Sequence, residues 1–212
     1  MDKDGFYEYW SNYILIEKEF LNTVQYVALD SINYASYSNV YQKLILELGS
    51  ELDNIFKWIC LHSNHAANNI IDYYNLISSS YQQIINQEVN LFEGEIKTLK
   101  PFENWSVNSS PEWWIIYNKI KHERHKNCDI STIGSEKNYK YANLSNCINL
   151  LAGLYICEMY MYKIITIEHI PQPISRIFYL DSNGWSKNQF SFGMTGTLNG
   201  STLTITTIEK SY

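Results

Sequence analysis

His122 and Asn118 stand four residues apart in the stretch Trp113-Trp114-Ile115-Ile116-Tyr117-Asn118-Lys119-Ile120-Lys121-His122-Glu123-Arg124-His125-Lys126. On a helix that spacing puts both side chains on one face. An imidazole can take or give a proton, and a neighbouring amide can orient it or hold a phosphate oxygen. Lys121, Arg124, His125 and Lys126 lie around the pair and reverse the local sign of a chain whose formal charge is -6. That marks a candidate anion site. The same run also suits a plain helix end, where cations offset the macrodipole. Both readings stand on the sequence alone.

These side chains need a helix to carry them. Pro111 fits a first helical turn, since its missing N–H would have no partner there. Ser110 is placed to cap that turn, and Glu112 suits its positive end. At 100° per residue, Trp113, Ile116, Tyr117, Ile120 and Arg124 form one stripe, apolar until Arg124 and therefore expected to face the core. Trp114, Asn118, Lys121, His122 and His125 form a second stripe beside it.

The rest of the chain reads as scaffold. Its 212 residues suffice for one domain, or one domain with a small appendage. Hydrophobic residues make up 45%, which argues against disorder. The mildly acidic balance excludes a general nucleic-acid coat, so any such contact must be local. Cys60, Cys128, Cys147 and Cys157 form no CxxC pair. Met1-Asp2-Lys3-Asp4-Gly5 is charged and opens no apolar leader, so a cytoplasmic chain with buried thiols is expected. Cys60, His62 and His65 have tight spacing but lack a second ligand pair, so no metal is expected. No Gly-rich phosphate loop, GxSxG or HExxH is present, and no cofactor is expected. The run Leu150 to Ile165 carries Glu158 and Lys163 and is short for a bilayer span, so no membrane contact is expected.

Hydrophobic spacing predicts helices over Gly5–Val27, Ser38–Leu61, Ile70–Ile85 and Tyr139–Ile167, besides the central one. Tyr41, Leu44, Leu48, Leu52, Ile55 and Ile59 are the expected seam of the second. Gly49 within it costs about 1 kcal/mol relative to Ala and suggests that another backbone comes close. Glu51 beside it is a candidate partner for the cationic helix, or a surface carboxylate. Val89 to Leu99 alternates around Gly94 and reads as extended or a short hairpin. After Pro171 and Pro173 the composition changes. Ile177-Phe178-Tyr179-Leu180, Phe190-Ser191-Phe192 and Leu203-Thr204-Ile205 are separated by Asn183-Gly184 and Asn199-Gly200, a hairpin pattern. The expected division is a mainly α body over residues 1–170 and a small β-rich C-terminal appendage over 171–212.

The string Trp113-Trp114-x-x-Tyr117-Asn118-x-x-Lys121-His122-x-Arg124, between a helix with Ser50-Glu51 and a long helix opening at Ala142-Asn143-Leu144, resembles bacterial HEPN-like proteins over roughly residues 8 to 166. The resemblance implies a HEPN-like helical bundle, a homodimer with its motifs facing across a cleft, and a metal-independent endoribonuclease of a phage-defence or toxin–antitoxin system. In such enzymes an Arg, often followed directly by a polar residue, is separated from the His by four to six residues. Aligned on His122, the polar residue falls on Asn118 and the Arg position on Tyr117, which cannot supply a cation. The resemblance thus implies His122 and Asn118 as catalytic, Lys121, Arg124, His125 and Lys126 as RNA or phosphate ligands, and Tyr117 and Glu51 as supporting. A catalytically inactive relative that binds RNA, a nucleotide or a cognate partner protein is the alternative. A third reading is an interaction module that docks partners on the edge of its β appendage.

Overall fold

The structure, a computed structural model, describes residues 2–63, 65–166, 170–182 and 185, together with the backbone of 194–198 and 201–205. The chain is mainly helical. Helix α1 spans Lys3–Val24 and starts where the Asp2 carboxylate accepts from the Gly5 N–H. Helix α2 spans Asn39–His62, with the Ser38 hydroxyl accepting from the Tyr41 N–H at 3.0 Å. Each cap satisfies one of the free N–H groups that a first turn leaves. The expected α2 seam is buried at all six positions.

The segment predicted as one helix over 70–85 is two. Helix α3, Ile70–Ser80, is capped by Asn69, and helix α4 is the single turn Gln82–Ile85. Tyr81 leaves helical geometry between them, at φ -140° and ψ 45°. Helix α5 spans Glu112–Glu123 and helix α6 spans Leu144–Ile165. The last helix begins later than its hydrophobic pattern predicts. Asn138–Tyr141 form a 3-10 turn, and the Asn143 side chain then caps α6 by accepting from the Asn146 N–H.

Every residue from Leu150 to Tyr162 is buried, so α6 is apolar all round and forms the axis of the body. Helices α1, α2, α4 and α5 pack on it, α2 most extensively. Among the described residues α6 is the one helix long and apolar enough to cross a membrane, and 78% of that stretch is buried inside the protein.

The extended reading of 89–99 holds. Strand β1, Val89–Leu91, pairs antiparallel with β2, Thr98–Leu99, and Gly94 turns between them with a positive φ of 94°. Strand β3, Phe178–Tyr179, pairs antiparallel with the other edge of β1. The first strand expected in a separate appendage therefore completes a sheet of the helical body, in the order β2-β1-β3. Ile177, Phe178, Leu180 and Trp185 are buried in the same core. The Trp10 indole donates to Pro173 O at 2.8 Å.

The strongest tie across this seam is Glu17. Its carboxylate is 1% exposed and accepts from the Tyr13 hydroxyl at 2.9 Å, from the Ser175 hydroxyl, and from the Arg176 N–H at 3.0 Å. Ser175 Oγ in turn accepts from the Phe178 N–H at 2.9 Å. A buried carboxylate is tolerated only when its oxygens are hydrogen-bonded, and here both are.

Strands β4, Met194–Leu198, and β5, Ser201–Ile205, form an antiparallel pair whose register closes at Leu198↔Ser201. That spacing matches the hairpin pattern around Asn199-Gly200. Those two residues, Asn183-Gly184 and Phe190-Ser191-Phe192 lie outside the described residues.

Candidate functional site

Helix α5 turns the predicted apolar stripe inward. Trp113, Ile116, Tyr117 and Ile120 are buried, and Arg124 at the stripe's end is exposed. Trp113 is anchored by an indole N–H donated to Pro101 O at 2.7 Å. Trp114 packs among the rings of Phe56, Tyr73 and Tyr117. Pro111 occupies the cap position, and the Ser110 side chain makes no cap hydrogen bond.

The α5 helix ends sooner than the charge pattern suggests. Its last residue is Glu123 and Arg124 is the C-cap, so His125 and Lys126 lie past the helix rather than on its second stripe. The end is fixed from outside the helix. The Asn138 amide donates to Glu123 O at 2.9 Å and the Tyr139 N–H to Arg124 O at 3.1 Å, closing carbonyls that α5 leaves free.

The proposed pair is not coupled. Asn118 Nδ2 donates to Trp114 O, one turn back, at 2.9 Å. Among the described residues no hydrogen bond joins Asn118 to His122. The imidazole of His122 is exposed, as is that of His125. The structure brings Lys121 to Tyr117 instead. Lys121 Nζ donates to the Tyr117 hydroxyl at 3.2 Å and lies 5.2 Å from its ring centroid. Tyr117 itself is 4% exposed. The expectation that Gly49 admits another backbone is corrected: what it admits is the Tyr117 ring, which fills the space a Cβ would need.

The cations divide into two groups. Lys119 pairs with Asp129 at 2.7 Å and Glu123 at 3.0 Å, and Lys126 pairs with Glu123 at 3.0 Å. Lys126 and Lys119 hold the Glu123 carboxyl below its usual range, and Lys119 does the same for Asp129. These contacts cancel most of the charge of the two lysines. Lys121 and Arg124 are exposed and have no carboxylate partner among the described residues. The accessible positive charge is therefore Lys121 and Arg124, flanked by two imidazoles.

Glu51, expected as a partner of the cationic helix, forms no ion pair among the described residues. It lies instead near Glu158 of α6, a carboxyl that is 1% exposed, and raises its pKa further after burial has already done so. Glu158 Oε2 is enclosed without a hydrogen-bond partner. In the sequence Glu17 is not singled out, and Glu158 stands only as a charge that interrupts an apolar run. The signal for Glu17 was present, because position 17 falls on the apolar stripe with Tyr13, Ile16 and Phe20.

Among the described residues no cluster of three His, Cys, Asp or Glu could hold a metal ion. The four cysteines are free and buried, and burial pushes the Cys60 thiol up to about 11. The chain matches no protein-family model, no curated protein and no solved structure.

Proposed function

We propose that this chain is a HEPN-like module that binds single-stranded RNA through the C-terminal end of α5 and does not cleave it. The observation that carries the reading is the pair Lys121 and Arg124, exposed and without carboxylate partners on a chain of net charge -6. Cations in that state make phosphate contacts by releasing counterions. His122 and His125 beside them add donors or stacking faces.

Against cleavage stands the geometry around the imidazole. General acid–base catalysis needs a proton carrier held within hydrogen-bond reach of an orienting group. The Asn118 amide is occupied by its own helix, and the position of the usual arginine is a tyrosine packed on Gly49. Homodimer formation and a setting in phage defence or a toxin–antitoxin pair belong to the same proposal, through the resemblance alone.

The test uses labelled single-stranded RNA of mixed sequence with the full chain in EDTA. Binding without cleavage, lost in Lys121→Glu/Arg124→Glu, is the expected result. Cleavage that disappears in His122→Ala would replace this reading with the ribonuclease one. Neither binding nor cleavage would end both.

A further inference from the structure

Tyr37 and Tyr139 leave aromatic surface in water. Tyr37 is 52% exposed and Tyr139 38%, and their rings meet edge to face, with centroids 6.1 Å apart and planes at 63°. They are distant in sequence, and backbone pairing brings them together. The Leu144 N–H donates to Ser36 O at 3.0 Å and the Ser38 N–H to Ala142 O at 3.2 Å, so that Tyr37 and Asn143 form an antiparallel bridge. Tyr139 lies in the 3-10 turn Asn138–Tyr141, and its own N–H is held by Arg124 O at 3.1 Å. The ring pair is thus carried on backbone tied both to the start of α6 and to the end of α5. A single exposed ring is ordinary, but two in contact on fixed backbone make a preformed apolar surface.

The charges nearby select what covers it. Arg124 is exposed and free of carboxylates, and so is Lys137, two residues before Tyr139, among the described residues. Lys140 pairs with Glu136 at 2.8 Å, and both phenol groups lie within its electrostatic reach. That pairing neutralises Glu136 and leaves the balance of the surface positive. An apolar protein segment would cover the rings and leave Arg124 and Lys137 without a counter-charge. A strand of unpaired RNA offers planar faces to the rings and phosphates to the cations.

We infer that Tyr37 and Tyr139 form a base-stacking platform for single-stranded RNA, beside the phosphate contacts of Lys121 and Arg124 and with Lys137 as a further phosphate ligand. The inference rests on the RNA-binding reading and adds to it where the bases go. Stacking of this kind tolerates any sequence, because every base has a π-face. It favours unpaired strands, whose bases are free to leave their neighbours.

The test compares the affinity of the full chain for a labelled single-stranded RNA of mixed sequence with that for an abasic strand of equal length, which keeps the phosphates and lacks the bases. The parent should prefer the RNA by about tenfold, the size of one base–aromatic stack. Tyr37→Leu/Tyr139→Leu should erase that preference and leave both the abasic affinity and the salt slope of RNA binding unchanged, since no phosphate contact is lost. Tyr37→Phe/Tyr139→Phe keeps both rings and should retain the preference, which separates stacking from a loss of fold. Lys137→Glu should weaken both strands alike. A leucine variant that still prefers bases, or a parent that binds both strands equally, would overturn the platform and leave the RNA-binding reading in place. A parent that binds neither strand would end that reading and the platform with it.

Discussion

The ring of Tyr117 in α5 lies against Gly49 in α2, in the volume that any other residue at position 49 would fill with its Cβ. Glycine is a poor helix former, so its presence in mid-helix is explained by this contact and not by local preference. The contact also sets how deeply α5 sits. With Tyr117 seated, Lys121 one turn on leans over its hydroxyl at the surface.

Gly49→Ala should therefore destabilise the protein. Overpacking costs about 1–3 kcal/mol, and the helix gains back up to about 1 kcal/mol from losing glycine. Urea denaturation should show a net loss of up to about 2 kcal/mol. Combining it with Tyr117→Leu should recover part of that loss in a double-mutant cycle. An alanine variant as stable as the parent would show that the ring gives way freely.

Stability should fall as pH rises through the range where Glu158 titrates. Burial, and after it Glu51, hold the Glu158 carboxyl well above its usual range. The folded state therefore keeps a proton that the unfolded chain releases near about pH 4.3. The sign follows from linkage. The contribution is fully present below the unfolded value and is lost as pH rises through the folded one. Glu158→Gln should remove this dependence and raise the melting temperature more in weakly alkaline than in acidic buffer. Equal shifts in both buffers would contradict the assignment.

Glu17→Ala should loosen the segment around Ser175 first. It strips acceptors from the buried Tyr13 and Ser175 hydroxyls and from the Arg176 N–H at the edge of that buried cluster. The cost should be about 3 kcal/mol or more, since each orphaned group loses about 1–3. Hydrogen exchange should speed up at residues 175–178 before it does in α6. Uniform acceleration across both would mean that Glu17 supports the whole fold equally.

RNA affinity should depend on salt with a slope that Lys121→Glu/Arg124→Glu reduces. Each single-strand phosphate contact contributes about 0.7 to that slope, so two lost contacts remove about 1.4. Asn118→Ala should leave both slope and affinity within about twofold, because its amide serves its own helix. A large loss in Asn118→Ala would return that residue to the site.

Local signals in the sequence were enough to locate α2. Ser38 caps it, its seam keeps strict spacing, and nothing interrupts it. The start of α5 was equally plain from Pro111. Its end was not, because the groups that close it belong to Asn138 and Tyr139, which the chain brings back after a long turn. The same limit applied to β3. Phe178 and Tyr179 look like the start of a hairpin, yet their partners are Leu91 and Asn90. Period-2 patterning reveals a strand but not its neighbour. At the candidate site, the charges were readable and their pairing was not. Asp129 and Glu123 neutralise Lys119, which the run of basic residues alone conceals.

Glu17 has a consequence for synthesis. A ribosome makes this carboxylate before its partners Ser175 and Arg176, which follow 158 and 159 residues later. Until they emerge, a nascent chain holds a charged group on the face of α1 that is meant to be dry. Around Glu17 the first helix then needs water to take the place of those partners. A chain truncated before Ser175 would leave the Glu17 carboxylate with the Tyr13 hydroxyl but without Ser175 and Arg176, on a helix that otherwise packs against α6.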